Sequence, residues 1–192
     1  MASPFDLARL KDGDTNLSGA DLSGADLSGR DLNAVDLSGA NLCSALLSRA
    51  DLNGADLNGA KLSRAHLTDS RLIGANLTGI DLTGTDMTRA NLSLANLLCA
   101  DLARADLGAA NLNGTHLSRA NMQGADLNHA TLSGADLSGA DLSSANLVGA
   151  DLTGATLFFA DLVDSSFQGA TLADLDYGYA HVSGTIDEQT KK

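Results

Sequence analysis

Tryptophan is absent, proline occurs once, and aromatic side chains make up 3% of the 192 residues. A core of interlocked rings is therefore excluded, although 44% of the chain is hydrophobic and most of that is Leu and Ala. That apolar content, with only 19% charged residues, argues against disorder. Basic residues are scarce, 12 Lys and Arg against 24 Asp and Glu, and the net charge is −12. Such a surface does not neutralise phosphates, so direct nucleic-acid binding is not expected. No apolar run approaches the roughly 20 residues that cross a bilayer. Residues 1–15 lack a basic start followed by an apolar run, so no secretory signal is expected. The two cysteines, Cys43 and Cys99, are too few and too far apart for a disulfide framework. As free thiols they fit a reducing cytoplasm.

What the chain has is a repeat. Stepping by five from Leu17 to Val182 visits 34 positions, and every one is apolar or aromatic. The residue two before each centre is Ala in 25 of the 34 units. The residue just before the centre is Asp in 16 units and Asn in 8. Gly favours the second place after the centre, where 17 of the 20 glycines stand. The unit is A-(D/N)-L-(S/T/N)-G. A period of five suits neither a helix at 3.6 nor a strand at two, so the backbone turns once per unit. Gly supplies corners of positive φ, and Asp or Asn bonds the nearby backbone. Leu and Ala point inward and the other three positions outward.

This pattern, as in Ala20-Asp21-Leu22-Ser23-Gly24 and Ala135-Asp136-Leu137-Ser138-Gly139, resembles the pentapeptide-repeat family. The resemblance implies an all-β fold, a right-handed quadrilateral parallel β-helix of about eight coils spaced about 4.8 Å apart. It also implies four units per coil. The expected organisation is an N-terminal cap over 1–14, a β-helix over 15–184 and a C-terminal tail over 185–192. Within the cap, Ser3, Pro4 and Asp6 predict a short helix over 3–11 that lays Phe5, Leu7 and Leu10 on the first coil. Arg30 stands at an inward position. Its guanidinium either leaves through the open end to meet Asp12 or Asp14, or turns to solvent.

No catalytic set stands out, so an enzyme is not expected. His66, His116, His129 and His181 are outward on different coils. Asp12, Asp14 and Asn16 match the first ligands of a calcium loop, but Leu17 and Ser23 stand where it needs Gly and Glu. No metal or other cofactor is expected.

Charge is uneven along the chain. Residues 49–119 carry seven acidic and seven basic residues, whereas residues 120–190 carry nine Asp, Glu188 and no Lys or Arg. Asp136, Asp141, Asp151 and Asp161 are the candidate acidic face for a protein partner. Some pentapeptide-repeat proteins, fluoroquinolone-resistance proteins among them, resemble DNA and bind DNA gyrase. The resemblance makes gyrase the candidate partner and DNA mimicry the specific form of a non-enzymatic binding role. This chain departs from them in its nearly invariant Leu centres and its lack of interrupting loops. The acidic surface otherwise serves solubility. Phe158, Phe159 and Tyr179 form an expected apolar patch near the C-terminal end. They either join a homodimer through the C-terminal coils, as the resemblance implies, or lie under residues 180–192.

Overall fold

The computed structural model describes residues 1–183. Parallel bridges join residues twenty apart, from Asn16–Asp36 to Asp161–His181, so four pentapeptide units complete one turn. The bridges form four columns, here called faces. Face 1 carries Asn16 to Asp176, face 2 Asp21 to His181, face 3 Asp26 to Ser166, and face 4 Asp31 to Thr171. Each side of each coil contributes a single bridge residue before the chain turns.

The turn explains the unit. In the first repeat the Ala20 N–H donates to the Leu17 carbonyl at 3.0 Å, and Gly19 between them has φ +66°. A positive φ at the third residue of a four-residue turn is the type II geometry, which Gly adopts without strain. The preceding Asp or Asn steadies the same corner. Asp26 Oδ1 accepts the Ser28 N–H at 3.1 Å, and Asn91 Oδ1 accepts the Ser93 N–H at 3.0 Å. Acid and amide therefore do the same structural work. Between coils, Leu22 N–H donates to the Asn41 carbonyl at 2.8 Å and Asn41 N–H to the Ala20 carbonyl at 2.8 Å.

Leu and Ala ladders fill the interior. The centres from Leu17 to Leu162 are buried to 1% exposure or less. Burying one Leu contributes roughly 1.5–3 kcal/mol before chain entropy is counted. At three of the positions where a hydroxyl replaces Ala it bonds locally: Thr85, Thr115 and Ser165 donate to the carbonyls of Leu82, Leu112 and Leu162. Ser70 Oγ is buried without a partner.

Helix α1, Pro4–Lys11, caps the start. Ser3 Oγ accepts the Asp6 N–H at 3.4 Å, and Pro4 follows the cap. The helix also satisfies backbone groups of the first coil, which has no coil before it. The Ser3 N–H donates to the Asp21 carbonyl at 2.8 Å, and Asp6 Oδ2 accepts the Asp21 N–H at 3.0 Å. That is how the exposed edge is covered. Leu10 is buried and Leu7 packs against the core, but Phe5 points away and is 71% exposed. Successive helical residues rotate by about 100°, which sets Phe5 on the far side from Leu7 and Leu10. Its ring instead lies 5.9 Å from the Arg9 guanidinium.

Arg30 does not reach Asp12 or Asp14; Asp14 is taken by Arg9 at 2.9 Å, and Arg30 is exposed. At the other end the last coil is open among the described residues. Tyr177 and Val182, both inward by register, are 47% and 42% exposed. The expected tail over 185–192 lies outside the described residues.

Candidate functional site

The corner between faces 1 and 2 recurs every twenty residues. It holds Ser18-Gly19, Ser38-Gly39 and Ser138-Gly139, and then Phe158-Phe159 and Gly178-Tyr179. Leu98-Cys99 and Ser118-Arg119 interrupt the small pairs in the middle coils, and among the described residues rings stand at this edge only in the last coils. Phe159 and Tyr179 stack with centroids 5.3 Å apart and planes inclined by 20°. Phe158 meets both edge-on, at 4.5 Å and 5.3 Å. Phe159 is 63% and Tyr179 78% exposed, while Phe158 is half-buried. Gly178 makes room for it, since a Cβ there would stand 3.0 Å from the Phe158 ring. Phe159 and Tyr179 hold φ values of +59° and +58°. A bulky residue is rare in that region, which costs roughly 1–2 kcal/mol outside Gly.

The expected acidic residues divide by face. Asp141 and Asp161 are bridge neighbours on face 2, and Asp136 is on face 1, bridged to Thr156 and through it to Asp176. These carboxylates flank the aromatic edge from its two sides. Asp151 is on face 4, bridged to Thr131 and Thr171, and does not join them. Asp176 stands in the Asp136 column two coils on, as counting by twenty places it, with Thr156 between them. The expected aromatic trio and three of the four expected carboxylates thus form one surface.

Each carboxylate spends one oxygen on its own corner. Asp141 accepts from Ser143 N–H at 2.9 Å, Asp161 from Val163 N–H at 3.0 Å, and Asp176 from Gly178 N–H at 3.1 Å. Asp136 also accepts from the Ser118 hydroxyl at 2.6 Å. Partial burial pushes the Asp136 carboxyl upward, but the hydrogen bonds from Ser118 and Ser138 outweigh it and hold the group below its ordinary value. Asp151 lies low because Thr153 donates its hydroxyl and N–H, with Ser133 adding a further bond. Asp161 faces His181 at 3.5 Å, His116 is the bridge neighbour of Asp136, and Arg119 stands on the same edge one coil before Gly139. The arrangement is an apolar centre with an acidic rim. It can bury rings and pair with cations.

The family model for pentapeptide repeats matches in eight copies, over residues 14–29, 31–69, 60–97, 100–139 and 135–174. The chain is similar to HetL, a pentapeptide repeat protein involved in heterocyst differentiation regulation from the cyanobacterium Nostoc sp. strain PCC 7120. That likeness has 34% identity over 97% of each chain and a TM-score of 0.49. It is also similar to trypsin-treated QnrB1, a plasmid-mediated fluoroquinolone resistance protein, with 22% identity over 92% of this chain and 85% of that one and a TM-score of 0.59. Among curated proteins none matches at a significant level. The chain belongs to the pentapeptide-repeat family, whose members fold as right-handed β-helices.

Proposed function

We propose that the protein is a non-enzymatic acidic rod that binds a basic protein partner through the edge between faces 1 and 2. The observation that carries this reading is the exposed Phe158, Phe159 and Tyr179 cluster between Asp136 and Asp176 on one side and Asp141 and Asp161 on the other. Aromatic anchors inside a charged rim are the usual anatomy of a binding hot spot. The proposed organisation is a cap over 1–14, a four-sided rod of about eight coils over 15–184 at the strand spacing of about 4.8 Å, and a tail beyond it. The free cysteines Cys43 and Cys99 support a cytoplasmic setting.

The specific form of this role is DNA mimicry toward a type II topoisomerase, with DNA gyrase as the partner. It is supported by the acid-only stretch of residues 120–183 and by the stacking of Asp141 on Asp161. Electrostatic complementarity would steer such a rod into a basic DNA groove. A supercoiling assay tests it: the rod inhibits purified gyrase, and a variant with Asp136, Asp141, Asp161 and Asp176 changed to Asn does not. Undiminished supercoiling with the unaltered rod refutes gyrase as the partner.

A second reading takes the aromatic cluster as the contact of a two-fold homodimer through the C-terminal coils. The exposure of Tyr177 and Val182 at inward positions favours it, because their apolar surface lies in the same coils as the edge. Sedimentation at micromolar concentration decides between the two: a dimer that Phe158→Ser, Phe159→Ser dissociates supports the second reading, and a monomer ends it.

A further inference from the structure

Helix α1 covers the first coil unevenly. Its bonds to Asp21 tie its start to face 2. Between the helix and the first two coils, toward face 3, a cleft of about 690 Å³ remains. That size falls within the roughly 300–1,000 Å³ of small-molecule sites. Leu7 and Leu10 from the helix and Ala25 and Leu27 from the rod give it apolar walls. Lys11, Arg30 and Asp26 are its charged side chains. Two cations against one carboxylate invert the local charge in a chain whose net charge is −12.

Arg30 is the unusual member. It holds the inward repeat position that is Ala in 25 of 34 units. Stacked coils leave no space for a guanidinium there. The first coil has no coil before it, so the side chain emerges into the cleft and is exposed. Its charge reaches Asp26, whose carboxyl is held low first by hydrogen bonds from Ser28 and then by Arg30. Among the described residues neither Arg30 nor Lys11 forms an ion pair. The fold does not need this arginine, since Ala would fill the position as it does elsewhere.

We propose that the cleft binds an amphiphilic anion, a linear carboxylate with an apolar tail. The tail lies against Leu7, Leu10, Ala25 and Leu27. The head accepts hydrogen bonds from Arg30, whose planar fork matches a carboxylate, and from Lys11. Against the net charge of −12, Lys11 and Arg30 give the cleft a local attraction for an anion.

Cysteine chemistry reads the site directly. Cys43 lines the cleft and is half-buried, whereas Cys99 is exposed at the edge between faces 1 and 2 and lies outside it. Alkylation by iodoacetamide is followed at both thiols by mass spectrometry, with decanoate present below its micellar concentration. Decanoate slows Cys43 several-fold and leaves Cys99 unchanged. Arg30→Ala restores the residue usual at that position, so folding is not at risk. Combined with Lys11→Ala it weakens the protection about tenfold, the loss expected for a charge-assisted contact. The proposal is overturned if Cys43 is not protected, if both thiols slow alike, or if the double variant keeps full affinity. Equal protection by neutral decanol also overturns it, because the head would then go unrecognised.

Discussion

Tyr179 stacks on Phe159 one coil away, with ring centroids 5.3 Å apart and planes inclined by 20°. Both rings stand at corner positions with φ near +60°, where Gly serves at Gly19, Gly39 and Gly139 of the same edge. The backbone alone would favour Gly at 159 and 179, yet the chain carries exposed rings there. Cys99 and Arg119 on the same edge share that conformation, so it is the exposure and mutual stacking of the rings that suit them to the proposed binding role more than to folding.

Phe159→Gly separates those roles. It relieves a left-handed conformation worth about 1–2 kcal/mol and forfeits ring contacts worth about 0.5–1.5 kcal/mol. The difference is at most about 1.5 kcal/mol, so the melting temperature moves by no more than about 6 °C in a chain of this size. Calorimetry checks this. A much larger fall would make the ring a structural element.

Leu102→Asp acts in the opposite way. Leu102 is 1% exposed in the inward ladder, where an unpaired carboxylate has no partner. The variant should not fold, and Leu102→Ala should lose about 2–5 kcal/mol. A circular-dichroism melt unchanged by Leu102→Asp contradicts the packing described above.

Asp→Asn changes remove charge while keeping the corner bond, because Asn41, Asn91 and Asn146 already make it. Changing Asp136, Asp141, Asp161 and Asp176 together should abolish partner binding with little loss of stability. Changing Asp51, Asp56, Asp81 and Asp86 should weaken binding far less, and Asp151→Asn should leave it unaltered. Isothermal titration with the partner separates the sets, and equal effects would contradict the edge assignment.

Acid should destabilise the rod. Hydrogen bonds from Ser23 and Ser38 hold Asp21 and Asp36 below their ordinary values in the folded chain. A depressed folded value means the stabilisation is present above the unfolded carboxyl value of about 3.9 and is lost as pH falls through the folded one. The melting temperature should therefore be level from pH 7 to about 5 and fall below about 4. Asp21→Asn with Asp36→Asn should flatten part of that fall, and an unchanged acid limb would refute the assignment.

The repeat register and the inward ladder were legible in the residues because no insertion breaks the count from Leu17 to Val182. So were helix α1 and the meeting of Phe159 with Tyr179. Asp151 was grouped with Asp141 because charge was summed along the chain, while exposure to a partner depends on the face. One unit shifts a residue by a face, and only the twenty-residue bridges fix which face it joins. Phe5 was placed on the core by its apolar character, although the helical turn carries it to the far side. Arg30 illustrates a different limit. Its neighbours are set by where α1 docks, and no local pattern encodes that.

The central claim is that the edge between faces 1 and 2, and not acidity in general, engages the partner. Quantitative affinity capture from cells with three baits tests it most directly: the unaltered rod, a Phe159→Gly, Tyr179→Gly variant, and an Asp151→Asn variant as the face 4 control. The account predicts a set of proteins held equally by the unaltered rod and the control and lost from the edge variant. The same set held by all three would contradict it.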